Sequence, residues 1–304
     1  MNIALIGSVS SSWYALDALI RSGVEVTGVL GVDESHAQHV ADYRSLRERA
    51  DDAGIPFHSF IKVSEPGVET FLTNHAPDLL WVIGLSQLVP DRLMAIARIG
   101  SVGFHPTMLP EGRGRAPVAW TILHGARAAA NLFFLTDQPD AGDIIIQREV
   151  PVRPDDYSED LIKRTNQVLA DAIRELAPRI RAGDVPRTPQ DHRKATYYPK
   201  RTPADGLIDW ADSTDGVYRL IRAAGRPYPG AFTHHQQQRL TVWRGHPSEA
   251  CAASGSAKPG TVLSVSSSAG IAVATSDGAI LMIEVETESG VQASHVLDVG
   301  ALLH

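Results

Sequence analysis

"VGFHPTMLPEGRGRAPVAW", residues 102–120, joins a short apolar run to a loop rich in proline and glycine. The apolar run predicts a buried strand that ends next to His105. Similar apolar runs alternate with helical patterns through the first half of the chain. That alternation indicates a parallel sheet covered by helices on both faces. Because such sheets bind ligands beyond the carboxyl ends of their strands, His105 is a candidate site residue.

The first half of the chain predicts an α/β domain with a Rossmann-like, mostly parallel sheet. Its predicted strands are short and apolar and cover residues 2–6, 24–30, 55–60, 78–83 and 101–104. Helical patterns lie between them, and two further extended runs at 131–135 and 144–150 precede a long helical pattern that ends at Arg181. We therefore place the catalytic domain at residues 1–183.

The character of the sequence changes after residue 183. Residues 184–204 contain four prolines and no periodic pattern, which is typical of a linker. A short helical pattern at 214–223 follows, and short strands are then predicted to begin near residues 231, 240, 260, 271 and 279. Short strands at near-regular spacing predict a small, OB-like β-barrel domain at 205–304.

Composition limits the class of protein. A length of 304 residues predicts two domains, and the net charge of −7 argues against a broad nucleic-acid surface. The single cysteine, Cys251, cannot form an internal disulfide, which favours a reducing compartment. The sequence contains neither a signal-peptide pattern nor eighteen consecutive apolar residues, so we expect a cytoplasmic protein without a membrane span.

Several common chemistries have no motif here. "GSVSSSW" (7–13) lacks the G-x-G-x-x-G of dinucleotide sites, and neither a phosphate-binding G-x-x-x-x-G-K-[ST] nor a G-x-S-x-G nucleophile elbow occurs. His234 and His235 lack nearby carboxylates and are typical of an exposed hairpin tip, so we expect no metal site.

The remaining candidates are His105 and the acidic pair Asp140 and Asp143 in "DAGD". A carboxylate beside an imidazole fixes its tautomer, which suits acyl-type transfer. Each feature alone has an ordinary structural explanation, as a buried histidine or as a surface turn.

Together these residues resemble the folate-dependent formyltransferase family. That family carries a strand-end histidine in H-x-x-x-L-P, then R-G-x-x-P, then an Asp-x-Gly-Asp loop. The corresponding residues are His105, Leu109, Pro110, Arg113, Gly114, Pro117 and residues 140–143. "GLSQLVP" (84–90) is similar to the folate-pocket loop of the family. "LIDW" (207–210) and "RPYPGAF…LTVW" (226–243) resemble the C-terminal barrel of methionyl-tRNA and amino-sugar formyltransferases.

The resemblance implies transfer of a formyl group from 10-formyltetrahydrofolate to an amine, through a tetrahedral oxyanion that needs hydrogen-bond donors. It assigns His105 to the oxyanion or the amine proton, and Asp143 to the orientation of His105. The folate contacts implied are Leu85, Ser86, Gln87, Leu88, Val89, Asp137, Asp140 and Gly142. The acceptor contacts implied are Thr107, Gly112, Arg113 and Arg115, whose guanidinium groups suit phosphate or carboxylate.

One position departs from the family pattern. The family has an asparagine two residues before the histidine, and this chain has Gly103 there. We predict that Asn131 supplies the missing amide from a strand adjacent to that of His105, and that Gly103→Asn partly restores its loss. The alternatives are that Asn131 only bonds a neighbouring turn, and that the protein is a catalytically impaired homologue that binds ligands without turnover.

The acidic charge favours a small-molecule amine over nucleic acid as the acceptor. An N-hydroxyornithine-type siderophore precursor and a nucleotide-linked amino sugar both fit. Methionyl-tRNA is the alternative acceptor. The sequence does not indicate an oligomeric state.

Overall fold

The computed structural model describes residues 1–248, 257–288 and 293–304. Cys251 lies outside the described residues. The chain divides into two compact units. The first consists of Met1–Pro117, Arg127–Pro151 and Ile162–Pro199, and the second of Val118–Ala126, Val152–Leu161 and Lys200–His304.

Seven α-helices and fourteen strands form within the described residues. The helices are α1 (Ser10–Arg21), α2 (Arg47–Asp51), α3 (Pro66–His75), α4 (Asp91–Met94), α5 (Pro117–His124), α6 (Ser158–Arg181) and α7 (Thr214–Ala224). The strands up to residue 198 are β1 (Asn2–Gly7), β2 (Glu25–Val32), β3 (Phe57–Phe60), β4 (Leu79–Val82), β5 (Gly100–His105), β6 (Arg113–Gly114), β7 (Ala128–Phe134), β8 (Ile144–Val150) and β9 (Tyr197–Tyr198). The later strands are β10 (Ala231–His235), β11 (Gln238–Pro247), β12 (Val262–Ser266), β13 (Gly270–Ala274) and β14 (Ala279–Thr287).

The first unit is built on a seven-stranded sheet in the order β3-β2-β1-β4-β5-β7-β8. The first five strands of this order pair in parallel, and β7 and β8 are antiparallel to their neighbours. Helices α1 and α3 pack against strands β1 to β3. The predicted fold class, a mostly parallel α/β sheet followed by a small β domain, is confirmed.

Apolar side chains of the strands explain this packing. One buried cluster joins β1, β2 and β4 to α3 and α4, and it includes Ile6, Leu30, Leu80, Leu72 and Leu93. Each of these side chains removes apolar surface from water when the helices cover the sheet, which contributes about 1.5–3 kcal/mol per side chain. The sheet is therefore firmly packed. The segments that follow β4 and β5 begin at its carboxyl edge and are fixed there at one end.

The second unit contains an antiparallel five-stranded sheet in the order β10-β11-β14-β13-β12, with α7 packed on β11 and β14. Residues at the end of the chain connect its two edges. Leu302 forms a bridge with Thr261 beside β12, and His304 exchanges two backbone hydrogen bonds with His234 of β10. These bonds close the sheet into a small barrel around a core that includes Trp210, Val242 and Leu303.

Some elements differ from the sequence prediction. Strand β11 extends to Pro247 and is longer than the short strand predicted to begin near residue 240, because bulges at Val242–Gly245 let it bend and stay paired with β14. Helix α5 was not predicted, although Pro117 at its first position is a common helix start. No helix among the described residues is both long and apolar enough to cross a bilayer.

We predict that Leu303→Ala destabilises the second unit. Leu303 is buried, and its amide donates to the carbonyl of Gly260, so truncation leaves a cavity where the chain end closes the barrel. The expected loss is about 2–5 kcal/mol in the free energy of unfolding, measured by urea denaturation. Val299→Ala, at an exposed side chain four residues earlier, is the matched control and is expected to change stability little. Equal stability of the two variants would contradict this account of barrel closure.

Candidate active site

His105 ends β5 and is almost fully buried. Its Nε2 lies 2.8 Å from the carbonyl oxygen of Gly112. Because a carbonyl can only accept, Nε2 carries the proton of this hydrogen bond. The other ring nitrogen, Nδ1, lies 3.6 Å from Oδ2 of Asp140. The imidazole is therefore held between a main-chain oxygen and a carboxylate.

The backbone explains how Asp140 reaches the ring. Asp140 adopts the left-handed conformation with φ of 54°, which reverses the chain between β7 and β8. Gly142 follows in a position where an added Cβ would lie 1.8 Å from the carbonyl oxygen of Phe134, so only glycine fits. The Asp140 carboxylate then accepts a 2.8 Å hydrogen bond from the amide of Gly114.

Asp143 occupies a different place from the one expected. We predicted from the family pattern that Asp143 orients His105 and that Asp140 does not, and the structure brings Asp140 to the ring instead. Asp143 is partly exposed, and its nearest cationic partner is Nη1 of Arg187 at 3.9 Å. The left-handed turn at Asp140 directs the Asp140 carboxylate towards His105. It leaves the Asp143 carboxylate at the start of β8.

Asn131 lies opposite His105 on the adjacent strand β7 and is fully buried. Its Nδ2 donates to the carbonyl oxygens of His105, at 2.7 Å, and of Thr107. Its Oδ1 accepts a 2.6 Å hydrogen bond from Gln147. The adjacency that we predicted is present, but the amide is engaged by main-chain carbonyls rather than directed at a reacting atom.

The space beside Gly103 is filled by apolar side chains. An added Cβ there would lie 2.6 Å from Cδ2 of Leu135 and 3.0 Å from Cζ of Phe133. An asparagine at this position would require both side chains to move. The expectation that Gly103→Asn restores a donor therefore conflicts with the packing.

The predicted folate-pocket loop follows β4, which is the parallel neighbour of β5. Of its side chains, Leu88 is 93% exposed and Val89 is buried. Gln87 is engaged elsewhere, because its side-chain amide forms hydrogen bonds with the backbone of Val63 and Ile61.

The other predicted folate contacts in this loop are Leu85 and Ser86. Asp137, which was also predicted to contact folate, is an exposed residue of the β7–β8 segment. In the described chain, no backbone amide of residues 85–89 donates a hydrogen bond.

The predicted acceptor residues fall into two groups. Thr107 and Gly112 are buried, and the Thr107 hydroxyl donates to the carbonyl of Glu111 at 2.8 Å. Arg113 is also buried, which corrects the expectation that it meets a substrate anion. Its guanidinium donates instead to Gln190, His192 and Tyr197. Arg115 is exposed, and its guanidinium has no partner within the described chain.

The segment predicted as a linker contributes residues that the sequence analysis missed. Strand β9 (Tyr197–Tyr198) pairs with β6, and the Thr196 hydroxyl accepts a hydrogen bond from the amide of Gly112. Burial raises the pKa of the Tyr198 phenol, and the Glu111 carboxylate raises it further. Proline content suggested an irregular linker, and the pattern "QDHRKATYYPK" (190–200) has no periodicity that would indicate pairing.

The described side chains include no cluster of three or more His, Cys, Asp or Glu residues that could hold a metal ion. The polar groups that converge at the end of β5 are one imidazole, one carboxylate and several main-chain groups. That combination suits removal of a proton from a group that attacks an acyl or formyl carbon.

The fold has counterparts among known structures. HypX from Aquifex aeolicus in complex with tetrahydrofolic acid has a TM-score of 0.69 and 20% identity, over 94% of this chain. WlaRD, a sugar 3N-formyl transferase solved with dTDP and 5-N-formyl-THF, has a TM-score of 0.65 and 13% identity, over 96% of this chain and 99% of its own. Methionyl-tRNA formyltransferase from Clostridium thermocellum has a TM-score of 0.59 and 18% identity, over 82% and 94%.

This chain spans 44% of the length of the HypX chain. At the level of sequence, residues 1–175 match the family described as formyl transferase. Residues 200–296 match the formyl transferase C-terminal domain. The first match alone covers more than half of the chain, so this protein belongs to the formyl transferase family.

Proposed function

We propose that this protein transfers a formyl group from 10-formyltetrahydrofolate to the amine of a small molecule. The observation that carries the proposal is the buried His105–Asp140 pair at the carboxyl end of β5, within the family-matching part of the chain. The sugar formyltransferase WlaRD and HypX, which were solved with folates, support the donor. We also keep the cytoplasm as the proposed location, on the cysteine content of the sequence.

The loop at residues 85–89 fits a folate donor. Its main-chain amides have no acceptor within the described chain, it follows β4, which is the neighbour of β5 in the sheet, and Leu88 presents an exposed apolar side chain. A pterin ring is flat and carries donors and acceptors on its edge, so main-chain groups suit it better than charged side chains. When bound, this donor supplies an activated formyl group. Residues 85–89 would hold it, with the main chain of 137–142 as the second predicted contact.

His105 and Asp140 are proposed to handle the proton of the acceptor amine. The amine must lose a proton as it attacks the formyl carbon, and a nearby base removes it. Asp140 is the more exposed of the pair, with 18% of its side chain accessible against 6% for His105. The Gly114 amide holds its carboxylate in place, and the Gly112 carbonyl fixes the ring of His105. Asn131 is proposed to act indirectly, because it fixes the main chain of His105 and Thr107.

Oxyanion stabilisation distinguishes two candidate functions. No side chain extends from Gly103, and Leu135 and Phe133 fill the space beside it. In an active enzyme, main-chain amides would have to stabilise the oxyanion, since Nε2 of His105 donates to the carbonyl of Gly112. The same apolar packing favours the second candidate, a homologue that binds folate without turnover.

The acceptor is proposed to be small. A net charge of −7 disfavours the phosphate backbone of tRNA, which normally requires a basic surface. With Arg113 buried, Arg115 is the exposed cation of the loop at 107–115. One guanidinium suits a carboxylate or a diphosphate, so the acceptor class includes hydroxylated amino acids of the N-hydroxyornithine type and nucleotide-linked amino sugars.

Transfer assays test the proposal directly. The protein is incubated with 10-formyltetrahydrofolate and each of three acceptors, N-hydroxyornithine, a dTDP-linked amino sugar and methionyl-tRNA, and products are read by mass spectrometry. We expect a mass increase of one formyl group on one of the two small acceptors. Tight, salt-sensitive binding and formylation of the tRNA would overturn the small-acceptor proposal. Folate binding with no product from any amine would favour the binding-only candidate.

We predict that His105→Ala lowers kcat by at least 10²-fold while the Kd for 5-formyltetrahydrofolate changes little. The reason is that the imidazole contacts the carboxylate and main-chain groups at the reacting centre rather than the residues at 85–89. Fluorescence titration measures folate binding, and the formyl-transfer assay measures kcat. His124→Ala, which changes a histidine outside the proposed site, is the control. Near-normal turnover of His105→Ala would reject the assignment.

We predict that Asp140→Asn is more damaging than Asp143→Asn. The first change removes the charge 3.6 Å from the imidazole, and the second removes a carboxylate whose nearest cation is Arg187. Asparagine tolerates the left-handed backbone of position 140, so the turn is retained. We expect a loss of about 10²-fold or more in kcat for Asp140→Asn and less than about threefold for Asp143→Asn. A larger loss of kcat in Asp143→Asn than in Asp140→Asn would assign the orientation of His105 to Asp143.

A further inference from the structure

Gln190 is a buried polar residue in the segment that was predicted as a linker. Its Nε2 donates to two main-chain oxygens, that of Asp140 at 2.9 Å and that of Gly142 at 2.7 Å. Its Oε1 accepts a 2.7 Å hydrogen bond from Nη2 of Arg113. One amide thus contacts the turn that carries the Asp140 carboxylate and the loop that follows His105.

These contacts hold the main chain of the turn and not its carboxylate. Gln190 holds the carbonyls of Asp140 and Gly142, while the amide of Gly114 holds the carboxylate. The turn itself is costly, because Asp140 is a non-glycine residue with φ of 54°. Because a carbonyl that loses water without gaining a partner destabilises the conformation that buries it, the two bonds from Gln190 favour this turn over other conformations.

Arg113 keeps Gln190 in its place. Its guanidinium is buried, and the partners that it contacts in the described chain include no carboxylate: Gln190, His192 and Tyr197. Because a guanidinium only donates, it selects the oxygen of the Gln190 amide and directs the NH2 group towards the turn. Pairing of β6 with β9 brings the segment that carries Gln190 alongside the strand that carries Arg113.

We propose that Gln190 is a positioning residue of the transfer reaction, which holds the 140–142 turn so that the Asp140 carboxylate meets His105. The inference rests on the proposed function for its effect on rate. The segment 190–198 is then part of the active domain rather than a connection between domains.

Two substitutions test whether Gln190 positions the 140–142 turn or only attaches its own segment to Arg113. Gln190→Glu retains an oxygen for Arg113, whose charge keeps the new carboxylate ionised, but it cannot donate to the two carbonyls. The hydrogen bond between position 190 and Arg113 is therefore kept, while the two carbonyls of the turn lose their donor. We expect kcat to fall on the order of 10²-fold, because small misplacements of a catalytic group have effects of that size. Gln190→Ala removes both contacts and is expected to fall at least as far.

Hydrogen exchange supplies a readout that does not need turnover. The Gly114 amide bonds the Asp140 carboxylate, and the neighbouring Arg115 amide bonds the carbonyl of Tyr198. In Gln190→Glu we expect exchange at Gly114 to accelerate at least about tenfold and exchange at Arg115 to stay as in the unchanged protein. Lys194→Ala, at an exposed side chain of the same segment, is the control for kcat, Tm and both amides.

The outcomes are distinct. Normal kcat in Gln190→Glu, or unchanged exchange at Gly114, overturns the inference. Faster exchange at both amides together with a lower Tm means that Gln190 only stabilises the fold, which also overturns it. If the unchanged protein formylates no amine, the proposed function fails, while exchange at Gly114 still decides whether Gln190 holds the turn.

Discussion

The hydrogen bond from the Gly114 amide to the Asp140 carboxylate joins the two segments that form the site. One segment leaves β5 at His105, and the other reverses direction between β7 and β8. Neither segment would hold its polar groups in position by itself, because each is an irregular loop with few apolar side chains to keep it in place. The left-handed residue at 140 and the glycine at 142 give the reversal its shape, and the sheet gives both segments a common base.

The architecture of the first unit could be predicted because each strand is a short apolar run. Ile144–Val150 was predicted with its observed bounds, and the strand before His105 was placed to within one residue at each end. The position of His105 at a strand end follows from that periodicity alone. The adjacency of the strands that carry Asn131 and His105 was also predicted, and the observed register places the two residues opposite each other.

The orientation of side chains in the loops could not be predicted in the same way. Which carboxylate of "DAGD" faces the imidazole depends on one dihedral angle at Asp140, and periodicity carries no information about it. Arg113 was expected to contact the acceptor because of the family resemblance, and its burial depends on three partners more than seventy positions away. The contacts of Gln190 could not be predicted for the same reason, since its three hydrogen bonds connect segments that lie far apart in the chain.

The segment before Gln190 also touches the outer strand of the sheet. Thr188 exchanges both backbone hydrogen bonds with Ile144, at the start of β8. An uncovered outer strand presents free main-chain groups on which another molecule can add a strand, the usual beginning of aggregation. The bridge at Thr188 covers the end of that strand nearest the 140–142 turn. Substitutions that loosen this segment should therefore lower the yield of soluble protein on expression as well as the rate of the proposed transfer.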